Sequence, residues 1–99
     1  MERTQATEGK TRIVVTTLGA DRSGIVAAVA TKLAENDANI LEISQAILDG
    51  IFTMSMIVEL DETKTSFATL QSALTSLDDQ LGVQVKVQRE DVFKFMYRI

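Results

Sequence analysis

The stretch NILEISQAILDGIFTMSMIVEL, Asn39 to Leu60, holds two apolar runs joined by Asp49-Gly50. Asp-Gly is the dipeptide that best tolerates the positive φ angles of a two-residue hairpin turn, so the runs read as paired strands. In the second run Phe52, Met54, Met56, Val58 and Leu60 alternate with Thr53, Ser55, Ile57 and Glu59. One face of that strand is core.

Upstream, Arg12 to Leu18 is short and rich in β-branched residues, which suits a strand. From Gly24 the period changes. Ile25, Val26, Val29, Ala30 and Leu33 fall at helical spacing, with Ser23 as the expected N-cap and Asn36 with Asp37 as the end. Downstream, Phe67, Leu70, Leu74, Leu77 and Leu81 make a second helical stripe, opened by Thr63 or Thr65 and closed by Gly82. Val83, Val85 and Val87, alternating with Gln84, Lys86 and Gln88, give a last strand.

The order strand, helix, strand, strand, helix, strand predicts an α+β chain of the ferredoxin-like βαββαβ class: a four-stranded antiparallel sheet with two helices on one face. The other face must be wet or covered by another chain. Ile40, Ala46, Ile57 and alternate residues of the outer runs are assigned to it, and a partner is expected there.

At 99 residues the chain is one domain. Residues 1–10 are nearly without apolar side chains and read as a disordered arm or an expression remnant, residues 11–90 as the domain. Residues 91–99, DVFKFMYRI, form an apolar tail expected to pack on its own domain or on a partner subunit.

Composition excludes much chemistry. The chain has no Cys and no His, which removes disulfides, thiolate nucleophiles, the usual zinc clusters, imidazole bases and Ser-His-Asp triads. A net charge of −4 weighs against a nucleic-acid partner. No run is apolar enough to cross a bilayer, so no membrane partner is expected and the expected location is cytoplasmic. Asp61-Glu62 and Asp78-Asp79 read as solvated charge, with weak calcium or magnesium binding as the alternative, and no metal site is assigned. No cofactor is expected, and no paired acid and base suggests an enzyme.

LGADRSGIV, Leu18 to Val26, joins the first strand to the first helix. Gly19 and Gly24 have the spacing of a phosphate-binding loop, but Ile25 and Val26 stand where it needs Lys and Ser or Thr. Asp21 breaks the dinucleotide fingerprint. What remains is a helix N-terminus whose free N–H groups suit a carboxylate, a Gly24 that admits close approach, and an Asp21 that can pair with an ammonium group. Those are the two poles of an amino acid. The alternative is that Asp21 and Ser23 cap the helix while Gly19 and Gly24 shape a turn. An RNA-recognition reading fails because the first strand carries no aromatic.

With these elements in hand, the sequence resembles the ACT domain, a regulatory small-molecule-binding module. The likeness lies in VVTTLGADRSGIVA from Val14 to Ala27, with a D-R-x-G-I pattern at Asp21, Arg22, Gly24 and Ile25, and in ANILEISQ from Ala38 to Gln45, with an Asn-Ile pair. The ending MYRI looks like that of small stand-alone members.

The resemblance implies paired copies and a ligand at their seam: Asp21, Ser23, Gly24 and Ile25 from one chain, with Asn39 and Ile40 from its neighbour. Gly19 and Arg22 complete the candidate set. Gly19 stands where some members have His, and Asp21 where many have Asn, which disfavours an acidic amino acid as ligand. The implied function is a non-catalytic module, most simply a homodimer, that senses an amino acid at the subunit interface. The alternative is a ligand-free interaction module that docks a separate enzyme or regulator through the open sheet face or the tail.

Overall fold

The computed structural model describes residues 10–20 and 23–91. The elements are β1 (Lys10–Ala20), α1 (Ile25–Glu35), β2 (Ala38–Leu48), β3 (Ile51–Asp61), α2 (Phe67–Thr75), α3 (Leu77–Leu81) and β4 (Val83–Arg89). The strands form one sheet in the order β2-β3-β1-β4, every neighbour antiparallel. This is the expected ferredoxin-like fold.

The hairpin is tight because Asp49 and Gly50 both adopt positive φ, 55° and 79°, leaving Leu48 opposite Ile51. Alternation then sorts β3: Phe52, Met54, Met56, Val58 and Leu60 are buried with Ile13 and Val15 of β1 and Val83, Val85 and Val87 of β4. Ile25, Val29 and Leu33 of α1, with Leu70, Leu74 and Leu77, close the same core.

Several details differ from expectation. β1 runs two residues further at each end than Arg12 to Leu18, so Lys10 belongs to the sheet and Gly19 to a strand. Ser66, not Thr63 or Thr65, caps α2, its Oγ accepting from the Thr69 N–H at 3.1 Å. Thr63 is occupied elsewhere, its own N–H donating to Asp61 Oδ1 at 3.0 Å. The bond from the Thr63 hydroxyl first, and this main-chain bond second, hold the Asp61 carboxyl below its usual pKa.

The second helical stripe is broken at Ser76, which ends α2 and opens α3. There the Thr75 and Ser76 hydroxyls donate to the carbonyls of Gln71 and Ala73, at 2.9 Å and 2.6 Å. Asp78 is not simply solvated: its Oδ1 accepts the Val85 N–H at 3.0 Å and so covers an amide of the edge strand β4.

Ile40 differs as well. It lies opposite Val58 and packs against the core, whereas Ala46 lies opposite Thr53 on the open face. The cause is a bulge between Ile40 and Glu42 that inserts one residue and inverts the alternation beyond it.

Candidate ligand site

The start of α1 is built by its main chain. Gly24 occupies the cap position with φ 89°, and its carbonyl accepts the Ala28 N–H at 2.9 Å. Among the described residues no side chain caps this helix; Ser23 stands outside it, exposed, and is not the N-cap. A Cβ on Gly24 would touch nothing within 4 Å. Glycine is therefore required there by the left-handed backbone, and the space beside it is open.

The other loop candidates divide clearly. Ile25 is 1% exposed; its side chain anchors the helix in the core and only its N–H is left to meet a ligand. Gly19 lies in β1, opposite Phe52 on one side and Val83 on the other. A Cβ there would come within 2.7 Å of Val83 Cγ1, so this glycine is set by packing against β4 and not by a turn. Asp21 and Arg22 lie outside the described residues.

Asn39 is exposed on the edge strand β2, opposite Glu59, and Glu59 in turn faces Arg12 of β1. The loop leaves β1 at Ala20, at the far end of that strand. Arg12 and Ala20 are eight strand positions apart, which at roughly 3.3 Å each is about 26 Å. One chain thus presents the open helix terminus and Asn39 at opposite ends, and Ile40, turned into the core, offers only main chain. The described candidate residues do not converge within a single copy.

Two features were not singled out from the sequence. The first is the β2 edge, where Leu41, Ile43, Ile47 and Leu48 are 41%, 43%, 58% and 76% exposed. Ile43 and Ile47 lie on the helix side, opposite Met56 and Phe52, yet stand in solvent. A long apolar edge with free N–H and C=O groups is a template for pairing with another strand. The second is a depression of 380 Å³ whose lining includes the open-face residues Thr16, Leu18, Thr53, Ser55, Gln84 and Lys86. Carrying the alternation through β1 and β4 would have gathered these residues on one face.

Near the other end of the sheet, Glu62 accepts hydrogen bonds from Arg89, at 3.0 Å, and from Thr11. The Arg89 bond first and the Thr11 bond second hold its carboxyl below the usual value. Arg89 also stacks 4.7 Å over the Phe67 ring, so this cluster ties α2 to the sheet.

The ACT domain family model matches residues 11–88. The chain belongs to the ACT domain family. A UPF0237 protein of Methanocaldococcus jannaschii is 53% identical over 88 residues, 89% of this chain and 98% of the relative. Among solved structures, an ACT domain protein from Streptococcus pneumoniae superposes with a TM-score of 0.74 at 39% identity, covering 88% of this chain and 98% of that one. The ACT domain from the GTP pyrophosphokinase of Chlorobium tepidum superposes with a TM-score of 0.57 at 25% identity, covering 82% and 86%.

ACT domains are typically regulatory ligand-binding modules, and they oligomerise. Among the described residues, no three His, Cys, Asp or Glu side chains cluster as metal ligands, and no helix is long and apolar enough to cross a membrane.

Proposed function

We propose that two copies of this ACT domain pair through their β2 edges, and that a small amino acid binds at each end of the seam. Antiparallel pairing of two β2 strands about their middle, near Ile43, carries Asn39 of the partner toward the Leu48 end of the first copy. That is the end at which α1 begins. The observation that carries this reading is the separation itself: the start of α1 and Asn39 stand at opposite ends of the sheet in one chain, and the exposed apolar edge of β2 is the element that would join two copies.

In this arrangement the N–H groups of the first turn of α1 receive the ligand carboxylate, helped by the positive end of the helix dipole. Gly24 leaves the approach clear. The partner's Asn39 amide both donates and accepts, and Asp21 takes the ammonium group. An acidic side chain on the ligand would meet Asp21 as a like charge, so neutral amino acids are favoured. Nothing in this scheme is catalytic; the ligand acts by differential affinity for the paired state.

A thermal-shift screen against the common amino acids tests the proposal. A ligand at 100 times its Kd stabilises the folded state by about 2.7 kcal/mol. The expected result is a selective rise in Tm that Asn39→Ala abolishes without changing the Tm of the ligand-free protein by more than about 0.5 kcal/mol in equivalent stability. A rise that survives Asn39→Ala would refute this placement of the site. No response to any amino acid would favour a ligand-free module that captures a separate enzyme or regulator through the same apolar edge.

A further inference from the structure

We propose that the depression on the open sheet face binds a small monocarboxylate with an apolar body and no ammonium group, at a site separate from the β2 seam. Two cross-strand rows frame it. Ser55, Thr16 and Lys86 lie side by side on β3, β1 and β4, and Thr53, Leu18 and Gln84 form the next row. All six side chains point away from the helices, because their strand neighbours Met54, Met56, Val15, Val85 and Val87 belong to the core. At 380 Å³ the depression falls within the range of small-molecule sites, about 300–1,000 Å³.

Charge singles out Lys86. It is the one charged side chain among the described lining residues, and its neighbours on this face are Thr16 across the ladder and Gln84 and Gln88 along β4, all neutral. Among the described residues it makes no ion pair, whereas Lys10, Arg12, Lys32 and Arg89 each meet a carboxylate. Glu59 and Glu90 are held by Lys10 and Arg12 at the other end of β1 and do not answer it. A chain of net charge −4 thus leaves a cation bare beside a depression, and a bound anion completes the pairing.

The rest of the lining fixes the class. One cation matches one negative charge, and a phosphate dianion would bring a second with nothing to meet it. The hydroxyls of Thr16 and Ser55, in the same row as Lys86, can donate to the carboxylate oxygens. Leu18, 46% exposed in the next row, offers apolar surface to the body of the ligand, and the Gln84 amide beside it can donate to a keto oxygen. Rows two residues apart stand about 7 Å from one another, the length of a short branched carbon chain. An ammonium group would find no carboxylate in the described lining and would face Lys86 as a like charge. A branched 2-oxo acid therefore fits where its amino-acid counterpart does not.

The test is NMR titration of the full chain, labelled at the Leu methyls and at nitrogen, with α-ketoisocaproate, leucine and inorganic phosphate as separate probes. The expected result is a saturable shift of the Leu18 methyls and the Gln84 side-chain amide with the keto acid, its affinity weakened about fivefold by Lys86→Gln and retained in Lys86→Arg. Asn39→Ala should leave it unchanged, so failure here and failure of the seam reading are read from different residues. Leucine or phosphate binding at these groups as tightly as the keto acid would overturn the ligand class. Equal affinity in Lys86→Gln, or no shift at millimolar keto acid, would overturn the site. Cross-relaxation of the Leu18 methyls, in the ligand-free protein, with a second copy or with residues 92–99, which lie outside the described residues, would give the depression another occupant and overturn the proposal too.

Discussion

Gly19→Ala separates a packing role for this glycine from a role in cradling a ligand. The new Cβ would lie 2.7 Å from Val83 Cγ1 and 3.1 Å from both Val83 Cα and Cβ. Carbon atoms are comfortable at about 3.5–4.0 Å, so β4 must retreat by close to an ångström at its first residue. Rotation of the valine relieves only the Cγ1 contact, because Cα belongs to the backbone. Such overpacking costs about 1–3 kcal/mol, and the stiffer unfolded chain returns about 0.4–1 kcal/mol. The net loss is about 1–2 kcal/mol, which for a domain of this size lowers Tm by roughly 5–15 °C.

Thermal and urea unfolding followed by circular dichroism measure that loss. Val83→Ala removes the closest contact, so the double variant Gly19→Ala/Val83→Ala should lose less stability than the two single losses added together. Gly19→Ala as stable as the parent protein, or strict additivity in the double variant, would refute the assignment of Gly19 to the β1–β4 contact.

The β2 edge and the Glu62 cluster give further expectations. Ile43→Lys places a charge in the middle of the exposed edge and should shift sedimentation velocity toward the monomer while leaving monomer stability within about 0.5 kcal/mol; an unchanged oligomer would remove β2 from the interface. Glu62 titrates below its ordinary value of 4.5 in the folded protein. Its contribution is therefore fully present above the unfolded-state value and is lost as pH falls through the folded-state value. Urea midpoints should drop on acidification below about pH 5 by less in Glu62→Gln than in the parent; equal drops would show that the Arg89 and Thr11 bonds do not favour the ionised form.

The elements were legible in the sequence because each is signalled by several neighbours at once. Five alternating apolar residues mark β3, and Asp49-Gly50 marks the turn before it. Single-residue features were less legible. Ile40 and Ala46 are an even number of positions apart and would share a face on a regular strand, but the bulge at Leu41 separates them, and no local composition announces it. Thr63, Thr65 and Ser66 are equivalent cap candidates until Asp61 engages Thr63 in a turn. Gly19 and Gly24 look alike on paper, yet Val83, far away in the chain, sets one and a positive φ sets the other.

The same contrast bears on how such a domain could report a ligand. A site complete within one chain would fill independently of association, and the edge of β2 would then have no bearing on affinity. Here the open helix terminus and Asn39 lie at opposite ends of the sheet, so each proposed site needs surfaces from two chains. A two-fold seam supplies both sites together. Whatever free energy the amino acid gains from bridging the chains is then added to the pairing of the β2 edges, and by linkage a weaker edge must show as weaker ligand binding. In the proposed pair the exposed apolar side chains of the β2 edge, Ile43 and Ile47 above all, would be the residues that set its sensitivity.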